Sequence, residues 1–64
     1  MKRKALLKEI HAYAAGIDAE VEIIEGGNHT KVVVGGRRTV IARHNELNEL
    51  TVKSIRKQLG MDGE

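Results

Sequence analysis

The sequence predicts an α+β fold with the element order α-β-β-β-α, a three-stranded antiparallel meander carrying two helices on one face. Three observations predict it. Leu6, Ile10, Ala14 and Ile17 recur at helical spacing near the N-terminus, and Val52, Ile55 and Leu59 form a second helical seam near the C-terminus. Between them, two turn signals, Gly26-Gly27-Asn28 and Gly35-Gly36, divide three short segments of strand character. Helices packed on one face of the meander are the simplest arrangement that buries both stripes.

The first helix is expected over residues 3–15, its stripe widened by Leu7 and Tyr13, with Gly16 as its stop. Val21 and Ile23, alternating with Glu20 and Glu22, suggest a first strand, although Ile24 interrupts the alternation. Gly26-Gly27-Asn28 turns the chain, since glycine and asparagine tolerate positive φ. His29 to Val34 is a second strand rich in β-branched residues, and Gly35-Gly36 is a two-residue hairpin signal leading into a third strand from Arg37 to Ala42. That hairpin would pair Val34 with Arg37, Val32 with Thr39 and Thr30 with Ile41 on the face that meets the helices. His29, Lys31, Val33, Arg38, Val40 and Ala42 would lie on the other face. Thr51, or Asn48 one turn earlier, caps the last helix, and Gly60 followed by Met61 reads as a Schellman-type end.

Composition narrows the chemistry. Sixty-four residues make one domain, spanning 1–64, which buries about 60% of the surface of its unfolded chain. With no cysteine, neither a disulfide nor a thiolate zinc site contributes, and Tyr13 is the single aromatic residue. Modules that hold single-stranded nucleic acid by stacking bases on aromatic platforms are therefore excluded. There is no phosphate loop or dinucleotide fingerprint, because both glycine pairs are short and sit between strands. The apolar run after Met1-Lys2-Arg3-Lys4 is cut by Lys8 and Glu9, so no export signal is expected, no stretch reaches membrane-spanning length, and a cytoplasmic location is expected.

The net charge of +2 is small, but its distribution is uneven. Lys2, Arg3, Lys4 and Lys8 crowd the N-terminus; Asp18, Glu20, Glu22 and Glu25 form an acidic block; from Lys31 to Arg43 every charge is positive, and Lys53, Arg56 and Lys57 form a second basic group. Clustered positive charge attracts phosphate, while charge runs also serve simply as solvated faces. Glu20, Glu22 and Glu25 could hold Mg²⁺, though a solvated strand edge explains them as well. His29 follows three turn residues and opens a strand flanked by basic positions. Its imidazole type titrates near neutrality and suits proton transfer, yet a polar residue at a turn needs no such role. His44, beside Arg43, reads as a phosphate contact or a loop residue, and His11 as a helix-surface residue.

The segments Gly27-Asn28-His29, Gly36 to Leu47 (GRRTVIARHNEL) and Thr51 to Met61 (TVKSIRKQLGM) resemble the HicA (YcfA-like) toxin family. The resemblance covers nearly the whole chain and is most specific from Gly27 to Met61. It implies a fold like that of a double-stranded-RNA-binding domain, an mRNA interferase activity and neutralisation by a HicB antitoxin. The family's Gly-Ser-His at the start of the second strand contains its catalytic histidine, a role that falls on His29, with Gly27 and Asn28 shaping the turn. Four positions depart from the family pattern: Glu25 where a basic residue is common, Asn28 for serine, Ala42 for proline and Leu50 for glycine. The stretch from Gly16 to His29 is also a few residues longer.

Together these readings predict an endoribonuclease that uses neither metal nor other cofactor. His29 would act as general base toward a 2′-hydroxyl or protonate the leaving 5′-oxygen. Lys31 and Arg38 would steady negative charge on the phosphate. Arg43, Lys53 and Lys57 would hold the RNA backbone without reading sequence. The alternatives are a non-catalytic RNA-binding module on the same scaffold and a purely protein-binding domain.

Overall fold

A computed structural model describes residues 1–61. It has the expected order: α1 (Arg3–Gly16), β1 (Val21–Glu25), β2 (His29–Val34), β3 (Arg37–Ala42) and α2 (Glu49–Leu59). The three strands form one antiparallel sheet in the order β1-β2-β3. The β2–β3 register is the one the Gly35-Gly36 turn dictates, with Val34 opposite Arg37, Val32 opposite Thr39 and Thr30 opposite Ile41. Both glycines have positive φ, as a type I′ hairpin turn requires.

Alternation along the strands assigns the two faces. Thr30, Val32, Val34, Thr39 and Ile41 are buried and meet both helices, through Leu6, Ile10 and Ala14 of α1 and Val52, Ile55 and Leu59 of α2. The fold is therefore two-layered, with one sheet face closed and the other open. Between the helices, Arg56 grips both carboxylate oxygens of Glu9 at 2.7 and 2.9 Å, and the Tyr13 hydroxyl donates to the Gly60 carbonyl at 2.8 Å. Planar pairing of this kind adds geometric specificity to the apolar contact.

Both helices end in Schellman geometry, but α1 does so differently from expectation. Gly16 is the last helical residue rather than the stop. The left-handed position falls on Asp18 (φ 57°), with the Ala19 N–H reaching the Ala14 carbonyl at 2.8 Å. Aspartate tolerates this conformation better than most side chains. The turn also carries Ile17 out of the apolar stripe, leaving it 52% exposed, so its helical spacing does not signify core. α2 follows the sequence more closely. Asn48 caps it, accepting from the Thr51 N–H at 2.8 Å; Gly60 is left-handed (φ 77°), and the Met61 N–H bonds the Arg56 carbonyl at 2.7 Å.

One feature of the fold has no local signature. The backbone of residues 1–3 runs antiparallel to residues 45–47, with Arg3 N–H donating to Asn45 O (2.9 Å) and Leu47 N–H donating to Met1 O (2.8 Å). This pairing pins the β3–α2 connection and buries Leu47. No helix among the described residues is long and apolar enough to cross a membrane.

Candidate active site on the open sheet face

His29 opens β2 with its side chain on the face that the helices leave uncovered, and it is exposed. Among the described residues the imidazole makes no hydrogen bond or ion pair. Three rows cross this face: His29 beside Ala42; Ile24, Lys31 and Val40; then Glu22, Val33 and Arg38. Ile24 and Val40 are 47% and 52% exposed, so Lys31 stands between two uncovered β-branched side chains.

The turn before His29 is tightly braced. The Gly26 N–H donates to the His29 carbonyl at 2.8 Å, and a Cβ at position 26 would lie 3.1 Å from that oxygen. Neither Gly27 nor Asn28 has positive φ, contrary to the reason the sequence suggested for their presence. Gly27 instead leaves open space, since a Cβ there would meet nothing within 4 Å. Just past β3, Arg43 Nη1 donates to the Gly26 carbonyl at 3.2 Å and its backbone N–H to the Asn28 carbonyl at 3.4 Å.

Beneath the turn, on the helix side, lies a charged cluster. The buried Thr30 hydroxyl donates to Glu25 Oε1 at 2.7 Å and accepts from Arg3 Nη2. The Glu25 carboxylate also pairs with Arg3 at 3.7 Å and Arg43 at 3.8 Å. The Thr30 hydrogen bond, followed by the charges of Arg43 and Arg3, holds its pKa below the ordinary carboxylate value. Glu25, the acidic departure from the family pattern, is thus a structural counter-charge to two arginines.

The expected cations separate into three groups. Lys31 lies on the face of His29, two residues along β2, about 7 Å at the strand rise. Arg38 shares that face but sits opposite Val33, four residues from His29's row, about 13 Å away. Arg43 is turned to the other side, engaged with Glu25 and Gly26. Lys53 and Lys57 are exposed on α2, beside a shallow concavity of about 390 Å³ with Leu50 and Ser54, on the layer behind the sheet. His44 and His11 are exposed.

The carboxylates do not form the Mg²⁺ set considered from the sequence. Glu20 precedes β1, Glu22 is on the open face and Glu25 on the helix side, as a three-residue offset on a strand requires. Among the described residues no group of three metal-ligating side chains forms. One participant escaped sequence reading: Gln58, whose Oε1 accepts from the Thr39 hydroxyl at 2.5 Å. Strand alternation already places Thr30 on the helix-facing side, and only its bonds to Glu25 and Arg3 are new.

Comparison with known proteins gives two curated relatives in Escherichia coli. One, from O157:H7, is described as "Probable mRNA interferase HicA", and one, from strain K12, as "Probable mRNA interferase toxin HicA". Each is 44% identical over 43 residues, covering 64% of this chain and 74% of the relative. No family model matches, and no solved structure matches.

Proposed function

The chain belongs to the HicA family of mRNA interferase toxins, and from that membership we propose that it is the toxin of a toxin–antitoxin pair and cleaves mRNA with His29 as its acid–base residue. The observation that carries this reading is the exposed His29 imidazole. It stands without a protein partner among the described residues on the open sheet face, and Lys31 is the next side chain along.

The chemistry asks little of the protein. His29 withdraws the proton of a ribose 2′-hydroxyl, and the oxygen attacks the adjacent phosphorus. The P–O5′ bond breaks, and the 5′-oxygen takes a proton from water, giving a 2′,3′-cyclic phosphate and a 5′-hydroxyl. In the reverse assignment, water takes the 2′-hydroxyl proton and His29 supplies the one to the leaving oxygen. One such residue contributes about 10²–10⁴-fold. Lys31 offers positive charge to the phosphorane, whose charge exceeds that of the ground state. The nucleophile comes from the substrate, so the proposed route needs no metal.

The second partner is a HicB-like antitoxin. Ile24, Val33, Val40 and Ala42 give the face around Lys31 an apolar character between charged positions, suited to a protein surface that covers His29 and blocks the site directly. Incubation of the protein with RNA in EDTA, followed by end-group analysis, tests the enzymatic reading. Cleavage leaving 2′,3′-cyclic phosphate ends is expected; a strict Mg²⁺ requirement or 3′-hydroxyl ends would overturn the histidine route.

A further inference from the structure

The free edge of β3 carries a concavity of about 480 Å³ lined by Lys31, Arg38, Thr39, Val40 and Gln58. We infer that it is a phosphate subsite, holding the RNA backbone beside the scissile linkage rather than at it. The inference rests on the ribonuclease reading and adds to it a place and a set of donors.

Arg38 does not share a phosphate with His29. Their rows are four residues apart, about 13 Å along the strand, and side chains stand roughly perpendicular to the sheet. Lys31 lies between them and diagonal to Arg38, about 7–8 Å away across the strands. Among the described residues neither cation has a carboxylate within ion-pair distance. Lys31, between His29 and Arg38, can face the scissile phosphate on one side and share the adjacent phosphate with Arg38 on the other.

Gln58 supplies the third donor from the other layer. Its Oε1 is taken by the Thr39 hydroxyl, and Thr39 is 3% exposed, so the amide is held by a fixed partner. The Nε2 hydrogens then have no protein acceptor among the described residues, and Gln58 lines the concavity with the two cations. A neutral amide donor held beside two charges is the donor set for phosphate oxygens.

The surroundings give the strand a direction. At the opposite edge of the sheet, Glu22 occupies Arg38's row and repels a polyanion. On the β3 side Gln58 adjoins Lys57, and Lys53 lies one turn earlier, both exposed. A backbone leaving His29 past Lys31 therefore turns over the β3 edge at the concavity and continues onto the outer side of α2. This path joins the two groups of cations that lie on different layers.

The test uses the whole chain and a ten-nucleotide 2′-O-methyl RNA of mixed sequence, which cannot be cleaved by its own 2′-oxygen, with affinity measured across a salt series. Gln58→Glu keeps an acceptor for Thr39 and replaces the amide donor by negative charge; Arg38→Gln removes one cation at an exposed strand position. Each should raise Kd by about fivefold or more, and Arg38→Gln should also lower the slope of log Kd against log salt by about 0.7. Thermal melting accompanies both, and if Gln58→Glu unfolds, Arg38→Gln decides. Parental Kd and slope in the folded variants, with unmodified RNA still cleaved by the parent, would overturn the subsite while leaving the ribonuclease reading intact, and would assign the cluster to an acidic protein surface. A parent that neither binds nor cleaves RNA would remove both.

Discussion

The Arg43 guanidinium donates to the Gly26 carbonyl at 3.2 Å, so the residue that follows β3 braces the turn from which β2 and His29 begin. The same residue's backbone N–H reaches the Asn28 carbonyl, and its charge faces Glu25. A basic residue that the sequence offers as an RNA contact thus also braces the turn.

Arg43→Ala should therefore act through geometry. Losing the side-chain contacts costs about 1 kcal/mol of stability. Cleavage should fall about tenfold or more, because small displacements of an acid–base group are expensive. The salt slope of RNA binding should stay at the parental value. A slope reduced by the amount of one phosphate contact, with cleavage of bound RNA unchanged, would return Arg43 to the RNA interface.

Glu25 makes the folded state sensitive to acid. Its pKa is lowered in the folded chain, by the Thr30 hydroxyl first and then by Arg43 and Arg3. Its contribution is present above the unfolded carboxylate pKa and is lost as pH falls through the lower folded value. The melting temperature of the parent should drop more steeply on acidification below the ordinary carboxylate range than that of Glu25→Gln. Parallel curves for the two proteins would show that the cluster adds nothing to the pH dependence.

Gly60→Ala tests the end of α2. A Cβ there would lie 3.1 Å from Arg37 Nε at φ 77°, so it meets both a steric contact and a left-handed backbone. The expected loss is about 1–2 kcal/mol from the backbone alone. Arg37→Ala in the same chain should recover only the steric part. Chemical denaturation of the parent, the two single variants and the double variant measures both portions.

The sequence was most informative where local chemistry decides structure. Gly35-Gly36 permits one hairpin register, and that register places His29, Lys31 and Arg38 on one face and Thr30, Val32 and Val34 on the other. Asn48 and Gly60 bound α2 because a side-chain oxygen and a missing Cβ act within a few residues. Ile17 misled because periodicity does not register the chain's exit at Asp18. The pairing of residues 1–3 with 45–47, the Glu9–Arg56 bridge and the Thr39–Gln58 bond join positions 19 to 47 apart in sequence, and no local pattern encodes them. The same limit explains the site. Strand alternation identified its face, but whether Arg43 points at RNA or at Gly26 depends on tertiary packing.

Proton transfer on RNA by His29, as opposed to mere binding, separates cleavage from affinity when the imidazole is removed. The most direct measurement compares His29→Ala with the parent for cleavage of RNA in EDTA and for affinity toward the uncleavable 2′-O-methyl RNA. Cleavage reduced by about 10²-fold or more, with affinity within about twofold, is the predicted result. Equal cleavage by the two proteins would contradict it.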